Sequence, residues 1–243
     1  MSHIVELAQV GFSAQAKELV KNLSFRFDEG KAVALIGPSG GGKSTLLKLA
    51  AGLCIPSYGK VLYRGKEIAA MSQQENLAFR REGAFVFQDA ALWANQTLFQ
   101  TLELPLRVHF PAMPAEERQQ KVGDAVAKVG YRKELGIRPA ALSRGEQKLI
   151  AFARAIICEP TILFLDEWTE SLDENSAKRL VGIVRKMKER GATLIFVSHD
   201  PRVVRTLADV VLVVADGGIS SRLTADDISD DEDIERLVEI GSA

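Results

Sequence analysis

The sequence is poor in cysteine and in aromatic residues. Of its 243 residues only Cys54 and Cys158 are cysteines, and aromatic side chains make up 7%. There is therefore no cysteine-rich zinc site. One disulfide is arithmetically possible, but two thiols in an intracellular chain are more often small buried side chains, and we expect that role here.

Long apolar runs and an excess of basic charge are also missing. The strongest apolar stretches, such as residues 210–214 (VVLVV), are far shorter than the roughly 18 residues that span a bilayer. The amino terminus (MSHIVE) lacks the basic-then-apolar pattern of a signal peptide. We therefore expect a cytoplasmic chain that does not itself cross a membrane. The 31 Lys and Arg against 32 Asp and Glu give a net charge of -1, which does not point to nucleic acid.

Short apolar runs alternate with helical patterns along the chain. Runs without polar alternation are typical of strands buried on both faces of a parallel sheet. The order strand, helix, strand predicts an α/β protein. The predicted strands cover residues 32–36, 84–87, 161–165, 193–197 and 210–214.

Three regions differ from this pattern. Residues 89–159 contain no convincing strand, and stripes at Val122, Ala125, Val126 and Val129 and over 149–157 predict an all-helical insertion, preceded by a proline-rich loop (Pro105, Pro111, Pro114). Residues 4–10 and 19–27 predict a small antiparallel sheet. Residues 226–243 form an acidic tail, for which we expect a solvated end.

A glycine-rich motif follows the first predicted buried strand. Residues 37–44 (GPSGGGKS) fit the pattern G-x-x-x-x-G-K-[ST] and open a predicted helix that Gly52 ends. Glycines let successive N–H groups face an anion, and the helix amino terminus adds its positive dipole end. We expect Lys43 to reach the β- and γ-phosphates of a nucleotide and Ser44 to bind Mg²⁺.

An acidic pair ends the strand at residues 161–165. Acids at the carboxyl end of a buried parallel strand lie where such sheets bind ligands. Asp166 is therefore expected to hold the metal through water, and Glu167 to accept a proton from an attacking water.

Three further segments make the chain resemble the ATP-binding subunits of ABC transporters. Residues 87–89 (FQD) stand where that family has its Q-loop, residues 142–147 (LSRGEQ) where it has its signature, and residues 197–200 (VSHD) where it has its switch histidine. Residues 170–173 (ESLD) resemble the D-loop. Each match is weak alone, but their order covers most of the chain.

The resemblance implies a P-loop NTPase with a RecA-like parallel core, an N-terminal antiparallel β subdomain and an inserted helical subdomain. It implies one ATP-binding domain, with 1–88 and 160–225 in the core, 89–159 helical and 226–243 as the tail. ATP and Mg²⁺ are the implied cofactors, sandwiched in a head-to-tail dimer of two copies. The implied catalytic residues are Glu167, His199 and Gln88; nucleotide contacts are Gly37, Pro38, Ser39, Gly40, Gly41, Gly42, Lys43, Ser44, Thr45, Phe12, Ser143, Gly145 and Glu146; metal ligands are Ser44, Gln88 and Asp166.

The chain departs from the family pattern in three places. Arg144 replaces the first signature glycine, where it either adds positive charge near phosphate or points to solvent. Trp168 replaces a proline, which we expect to alter packing rather than chemistry. Ala14 falls where the family usually places an aromatic residue on adenine, and Phe12 is the candidate substitute.

The segment after Gln88 resembles the ATPases of Mla-type phospholipid transporters, which work with Mce-domain proteins. The match covers residues 90–98 (AALWANQTL) and 104–107 (LPLR). It implies a peripheral subunit on the cytoplasmic face of the membrane that drives a separate multi-spanning permease. Other ABC systems, for lipoproteins or small solutes, and a non-hydrolysing regulatory subunit remain alternatives. We expect no nucleic-acid partner. The soluble ABC proteins of DNA repair or translation usually carry a long coiled coil or a second cassette, and neither fits within 243 residues.

Overall fold

The computed structural model describes residues 2–224 and 227. Its strands form two sheets, one of four strands in the order β2-β1-β4-β5 and one of six in the order β10-β9-β3-β8-β7-β6. The strands are β1 His3–Ala14, β2 Lys17–Asp28, β3 Ala32–Ile36, β4 Tyr58–Tyr63, β5 Lys66–Glu67, β6 Gly83–Val86, β7 Ile162–Asp166, β8 Thr193–Val197, β9 Val210–Ala215 and β10 Gly218–Thr224. The helices are α1 Lys43–Ala50, α2 Gln73–Glu82, α3 Leu98–His109, α4 Ala115–Val129, α5 Arg144–Ile156, α6 Glu174–Glu189 and α7 Pro201–Leu207.

The predicted parallel sheet is confirmed. In the six-stranded sheet, β6, β7, β8, β3 and β9 pair in parallel, and of its described strands only β10, at the edge, runs antiparallel. Alternate side chains of one strand enter two different apolar clusters, as Ala34 and Leu35 of β3 do. Both faces of the sheet are therefore covered, which explains why these strands lack a polar side.

The register brings three strand ends to one edge of the sheet. Val197 of β8 is level with Leu35 of β3 and with Asp166 of β7. Because parallel strands end at the same edge, the segments that follow β3, β7 and β8 meet there.

The helical region between β6 and β7 is confirmed as all-helical within the described residues. The α4 stripe predicted from the sequence is buried as a set (Val122, Ala125, Val126 and Val129), and it packs with α3 and α5. The proline-rich loop was a wrong prediction at Pro105, which lies inside α3. The stripe of Leu98, Leu102 and Leu106 and a capping box at Thr97 hold that helix despite the proline.

The predicted amino-terminal antiparallel pair is confirmed by β1 and β2. The sequence patterns missed β4, β5, α2 and β10. The predicted domain boundaries remain a prediction, and the acidic tail lies outside the described residues except for Asp227. No helix in the described part of the chain is long and apolar enough to span a bilayer.

Candidate functional site

The loop between β3 and α1 has the backbone that an anion cradle needs. Gly37 and Gly42 have φ angles of +131° and +101°, which favour glycine. A Cβ at Gly37 would lie 2.3 Å from the Val214 carbonyl oxygen, and one at Gly42 would lie 2.7 Å from that of Leu19. Neither position accepts a side chain without a shift of backbone, so the loop requires both glycines.

Lys43 begins α1 and folds back over the loop. Its Nζ donates hydrogen bonds to the carbonyl oxygens of Gly37 at 2.8 Å and Pro38 at 2.7 Å. Burial lowers the pKa of the Lys43 ammonium, while Glu167 and Asp166 oppose this shift. The ammonium therefore lies inside the loop, at the position predicted for contact with phosphates.

Asp166 and Ser44 meet at the carboxyl edge of the sheet. The Ser44 hydroxyl donates a 2.8 Å hydrogen bond to Asp166 Oδ1, across 122 positions of sequence. Asp166 is 2% exposed. Burial raises the pKa of its carboxyl, and the Ser44 hydrogen bond and nearby lysines partly offset that effect.

Glu167 follows directly and has an unusual environment. Burial, and then the adjacent Asp166 carboxylate, raise the pKa of Glu167 to about 7. The His199 Nε2 atom lies 3.0 Å from Glu167 Oε1, without the geometry of a hydrogen bond, so this buried oxygen has no hydrogen-bond partner within the described structure. A buried acceptor of this kind is open to a water or a ligand.

Gln88 lines a cavity that also contains Ser44 and Asp166. Its Nε2 donates a 3.2 Å hydrogen bond to Glu170. The cavity, of about 590 Å³, is lined by residues of the loop after β6, of α5 and of the turn after β7, together with Ser44 and Lys48. The structure thus brings Ser44, Gln88 and Asp166 to one cavity, as predicted.

The predicted signature residues lie at the start of α5, where Arg144 and Gln147 line this cavity. Ser143 and Glu146 form a capping box. Glu146 also pairs with Lys133 at 2.6 Å, so its carboxylate is already engaged in the structure. A Cβ at Gly145 would lie 3.1 Å from the Ser171 carbonyl oxygen. Arg144 is exposed and lines the cavity.

The structure shows how the residues at two departures from the family pattern, Trp168 and Ala14, are placed. Trp168 is 1% exposed and stacks on Phe152, with ring centroids 5.6 Å apart. Phe12 is half-buried against the cluster between the two sheets, while Ala14 ends β1. The role of Phe12 toward a nucleotide base remains a prediction.

The sequence reasoning missed Lys148 and Glu170. Lys148 is 5% exposed and points from α5 to the turn after β7. Glu170 accepts the Gln88 hydrogen bond. No motif marks Lys148; the signal available for it was a lysine within the apolar helix that follows the signature. Glu170 begins the ESLD segment that resembles the D-loop, but the sequence predicted no contact for it.

The donor set fits a magnesium ion completed by a nucleotide. Ser44 and Asp166 supply adjacent hard oxygen atoms, and Mg²⁺ is usually bound by one or two protein oxygens, water and substrate phosphates. No cluster of three or more His, Cys, Asp or Glu that could hold a metal occurs among the residues described. A cage made by protein alone is therefore not available there.

A parallel sheet, a glycine loop leading from β3 into a helix, and an acid at the end of β7, one strand removed from β3 in the sheet, define a P-loop nucleoside triphosphatase. A family model described as "ABC transporter" matches residues 20–170. The chain belongs to the ATP-binding family of ABC transporters, which hydrolyses ATP.

Curated relatives support this family and differ in the system they serve. The chain is 34% identical to an uncharacterized ABC transporter ATP-binding protein of Methanocaldococcus jannaschii, over 82% of this chain and 88% of that protein. It is 30% identical to the intermembrane phospholipid transport ATP-binding protein MlaF of Haemophilus influenzae, over 96% and 88%. It is 31% identical to the methionine import protein MetN of Haemophilus ducreyi, over 88% of this chain and 63% of MetN.

A solved structure shows the same architecture. It is a dimeric ATP-binding cassette in a post-hydrolysis state with ADP and phosphate. The chain matches it with a TM-score of 0.85 and 28% identity, covering 91% of this chain and 99% of the other. The ABC fold predicted from the sequence is thereby confirmed.

Proposed function

We propose that this chain hydrolyses ATP between two copies of itself and drives a separate membrane permease that moves phospholipid. The observation that carries the enzymatic part is the meeting of Lys43, Ser44, Asp166 and Glu167 at one edge of the sheet. Bound Mg²⁺ would be held by Ser44 and Asp166, with Gln88 nearby, and would supply charge neutralisation at the phosphates.

The residues of the chain divide the remaining work. The loop N–H groups and Lys43 hold the β- and γ-phosphates, because both present positive charge to an anion. Glu167, whose pKa of about 7 lies near the working pH, accepts the proton of the attacking water. His199 lies within 3.0 Å of that carboxylate and orients the water and the γ-phosphate.

The head-to-tail dimer completes the site. In it, Ser143 and Gly145 of a second copy face the γ-phosphate from the other side. The amino terminus of α5 begins at the Ser143 capping box, and a helix amino terminus favours an anion through its N–H groups and its positive dipole end. The dimeric state of a similar cassette supports this arrangement.

The phospholipid cargo rests on the likeness to MlaF, which extends over 96% of this chain. A groove suited to a permease helix lies beside the segment that resembles the Mla ATPases. Trp93 and Leu53 are 46% and 42% exposed in that groove, and the Arg154 guanidinium lies 5.5 Å from the Trp93 ring centroid. Arg154 also donates hydrogen bonds to the carbonyl oxygens of Ala91 and Ala90, which fixes the loop that carries Trp93.

The similarity to MetN favours a second candidate, import of a small solute such as methionine. A pull-down from native membranes in mild detergent, with mass spectrometry of proteins and lipids, separates the two. Recovery of a permease with an Mce-domain protein and bound phospholipid supports lipid transport. A permease with a solute-binding protein supports the second candidate, and recovery of no membrane protein contradicts both.

A matched pair of variants tests the groove. Trp93→Ala removes the exposed ring and should reduce recovery of the permease by about tenfold, as expected for a central aromatic anchor of an interface. Leu77 is 44% exposed on α2 and does not line the groove, so Leu77→Ala should leave recovery unchanged. Equal recovery with both variants would contradict this docking site.

A further inference from the structure

Lys148 is a buried cation that reaches the backbone of the candidate base. It lies on α5, five positions after Ser143, and is 5% exposed. Its Nζ donates a 2.5 Å hydrogen bond to the carbonyl oxygen of Glu167. Lysine is rarely buried to this extent unless it is paired, so the contact needs a specific explanation.

The Glu167 backbone has a conformation that its surroundings must maintain. Its φ is +42°, in the left-handed region that side chains other than glycine seldom adopt. Its N–H donates to the Val197 carbonyl oxygen at 3.2 Å, and its carbonyl accepts from Lys148 and, at 3.2 Å, from the Glu170 N–H. Such conformations persist when several contacts over-determine them, and they cluster at functional sites.

The charges around Lys148 match its position. Burial lowers the pKa of its ammonium, and the negative charges of Glu170, Glu167, Asp166 and Asp89 oppose that shift. Lys43 acts on Glu167 and Asp166 as well, but its Nζ is held by two carbonyl groups of the loop. The site therefore contains two buried lysines, one toward the phosphates and one toward the turn that carries the base.

We propose that Lys148 is a positioning residue for Glu167: it holds the Glu167 carbonyl and so sets the direction of the carboxylate toward the attacking water. The inference rests on the proposed function, in which Glu167 is the base. It also joins two parts of the enzyme, since α5 carries both Ser143, which faces the nucleotide of the second copy, and Lys148, which holds the base of its own chain. A displacement of α5 when the dimer closes is then transmitted directly to Glu167.

The test uses the full-length chain and the variants Lys148→Met and Lys148→Arg. Misplacing a catalytic group by about an ångström costs on the order of 100-fold, so kcat for ATP should fall about 10- to 100-fold in Lys148→Met. The KM for ATP should change by less than about twofold, since we do not place Lys148 on the phosphates. Lys148→Arg keeps the charge and the donor and should recover kcat to within about threefold of the original chain.

Lys188 provides a matched control. It is a half-buried lysine whose Nζ, like that of Lys148, donates to a backbone carbonyl, that of Leu207 at 2.8 Å, and it pairs with Asp209. Lys188→Met should lower the melting temperature while leaving kcat unchanged. If Lys148→Met lowers kcat no more than Lys188→Met, or if KM rises while kcat holds, the proposal is overturned.

A double-mutant cycle separates positioning from an independent contribution. In the Glu167→Gln background, Lys148→Met should lower the residual single-turnover rate by less than about threefold, because the base it positions is gone. An equal loss in both backgrounds would overturn the proposal. Wild-type turnover in Glu167→Gln alone would instead remove Glu167 as the base, which is a failure of the proposed function that the cycle reports separately.

Correct folding is checked before the kinetics are compared. Circular dichroism and binding of a fluorescent ATP analogue should match the original chain for Lys148→Met. If that variant does not fold, Lys148→Gln, which keeps a shorter polar side chain, takes its place with the same expected loss of kcat. Unchanged kcat in a folded Lys148→Gln would count against the proposal in the same way.

Discussion

The His199 Nε2 atom lies 3.0 Å from Oε1 of Glu167 and so joins the segment after β8 to the end of β7. Burial raises the pKa of Glu167 to about 7, and burial followed by the charge of Lys43 lowers the pKa of His199. Both shifts favour the neutral forms. Near neutral pH the pair therefore carries less charge than two exposed side chains would, and a proton can be held by the carboxyl that is proposed to receive it.

The first prediction concerns Glu167→Gln. An amide cannot accept the proton of water, so kcat should fall by about 10²- to 10⁴-fold, the usual contribution of a positioned base. ATP affinity should not weaken, because the amide removes a negative charge from the neighbourhood of Lys43 and Asp166. Phosphate release and equilibrium binding of ATP measure the two quantities. Turnover at the original rate would contradict the assignment of the base.

The second prediction concerns Lys43→Ala. Removing the ammonium takes away the Lys43 hydrogen bonds to the carbonyl oxygens of Gly37 and Pro38, of which Pro38 keeps only that from the Gly41 N–H, and removes the charge that faces phosphate. A charge-assisted hydrogen bond contributes about 1.5–3 kcal/mol, so ATP affinity should fall by about 10- to 100-fold. Lys17, an exposed lysine at the start of β2, is the control. Equal affinity in Lys43→Ala and Lys17→Ala would refute the predicted phosphate contact.

Much of the fold could be predicted because buried parallel strands leave a strong pattern. The bounds of β3 and β8 match the predicted runs, since every residue in each strand is buried. The elements that were missed are more polar. In α2 only Phe79 is buried, so there is no apolar stripe, although its capping box at Ser72 and Glu75 was available as a signal.

The candidate site likewise has a part that could be predicted from the sequence and a part that could not. The loop after β3 and the acids after β7 could be placed because their chemistry requires a fixed order of residue types beside a strand end. Lys148 could not, because its role depends on how α5 packs against the turn after β7, and that contact spans 19 positions without a motif. Pro105 was misplaced for a related reason: proline disfavours a helix locally, but the packing of Leu102 and Leu106 prevails.

The third prediction concerns the packing of Trp168. This ring is buried against Phe152, directly after the candidate base. Trp168→Ala should lower the free energy of unfolding by about 3–5 kcal/mol, the usual cost of emptying a large aromatic site in a core. Urea denaturation followed by circular dichroism measures it. Trp93→Ala, which removes an exposed ring, serves as the control and should cost less than about 1 kcal/mol. A similar loss for both would show that Trp168 does not contribute to the core as proposed.

The last prediction uses the two free cysteines. Both side chains are half-buried, not fully buried as the sequence predicted, and this partial burial raises the pKa of the Cys158 thiol to about 11. At pH 8 only about one thiol in a thousand is then ionised, so Cys158 should react with iodoacetamide far more slowly than an ordinary exposed cysteine. In a Cys54→Ser variant, where any modification must occur at Cys158, mass spectrometry should show a rate that rises with pH toward 11.

The sign of the effect on stability follows from the same shift. The folded chain holds the Cys158 proton more tightly than the unfolded chain, whose thiol has a pKa of about 8.5. The corresponding stability is present below pH 8.5 and is lost as the pH rises toward 11. The free energy of unfolding of the Cys54→Ser chain is compared with that of a Cys54→Ser, Cys158→Ala chain between pH 8 and 10. The difference gives the contribution of the Cys158 thiol to stability at each pH. A difference that does not change with pH, or rapid alkylation of Cys158 at pH 8, would show that the pKa of its thiol is not raised as described.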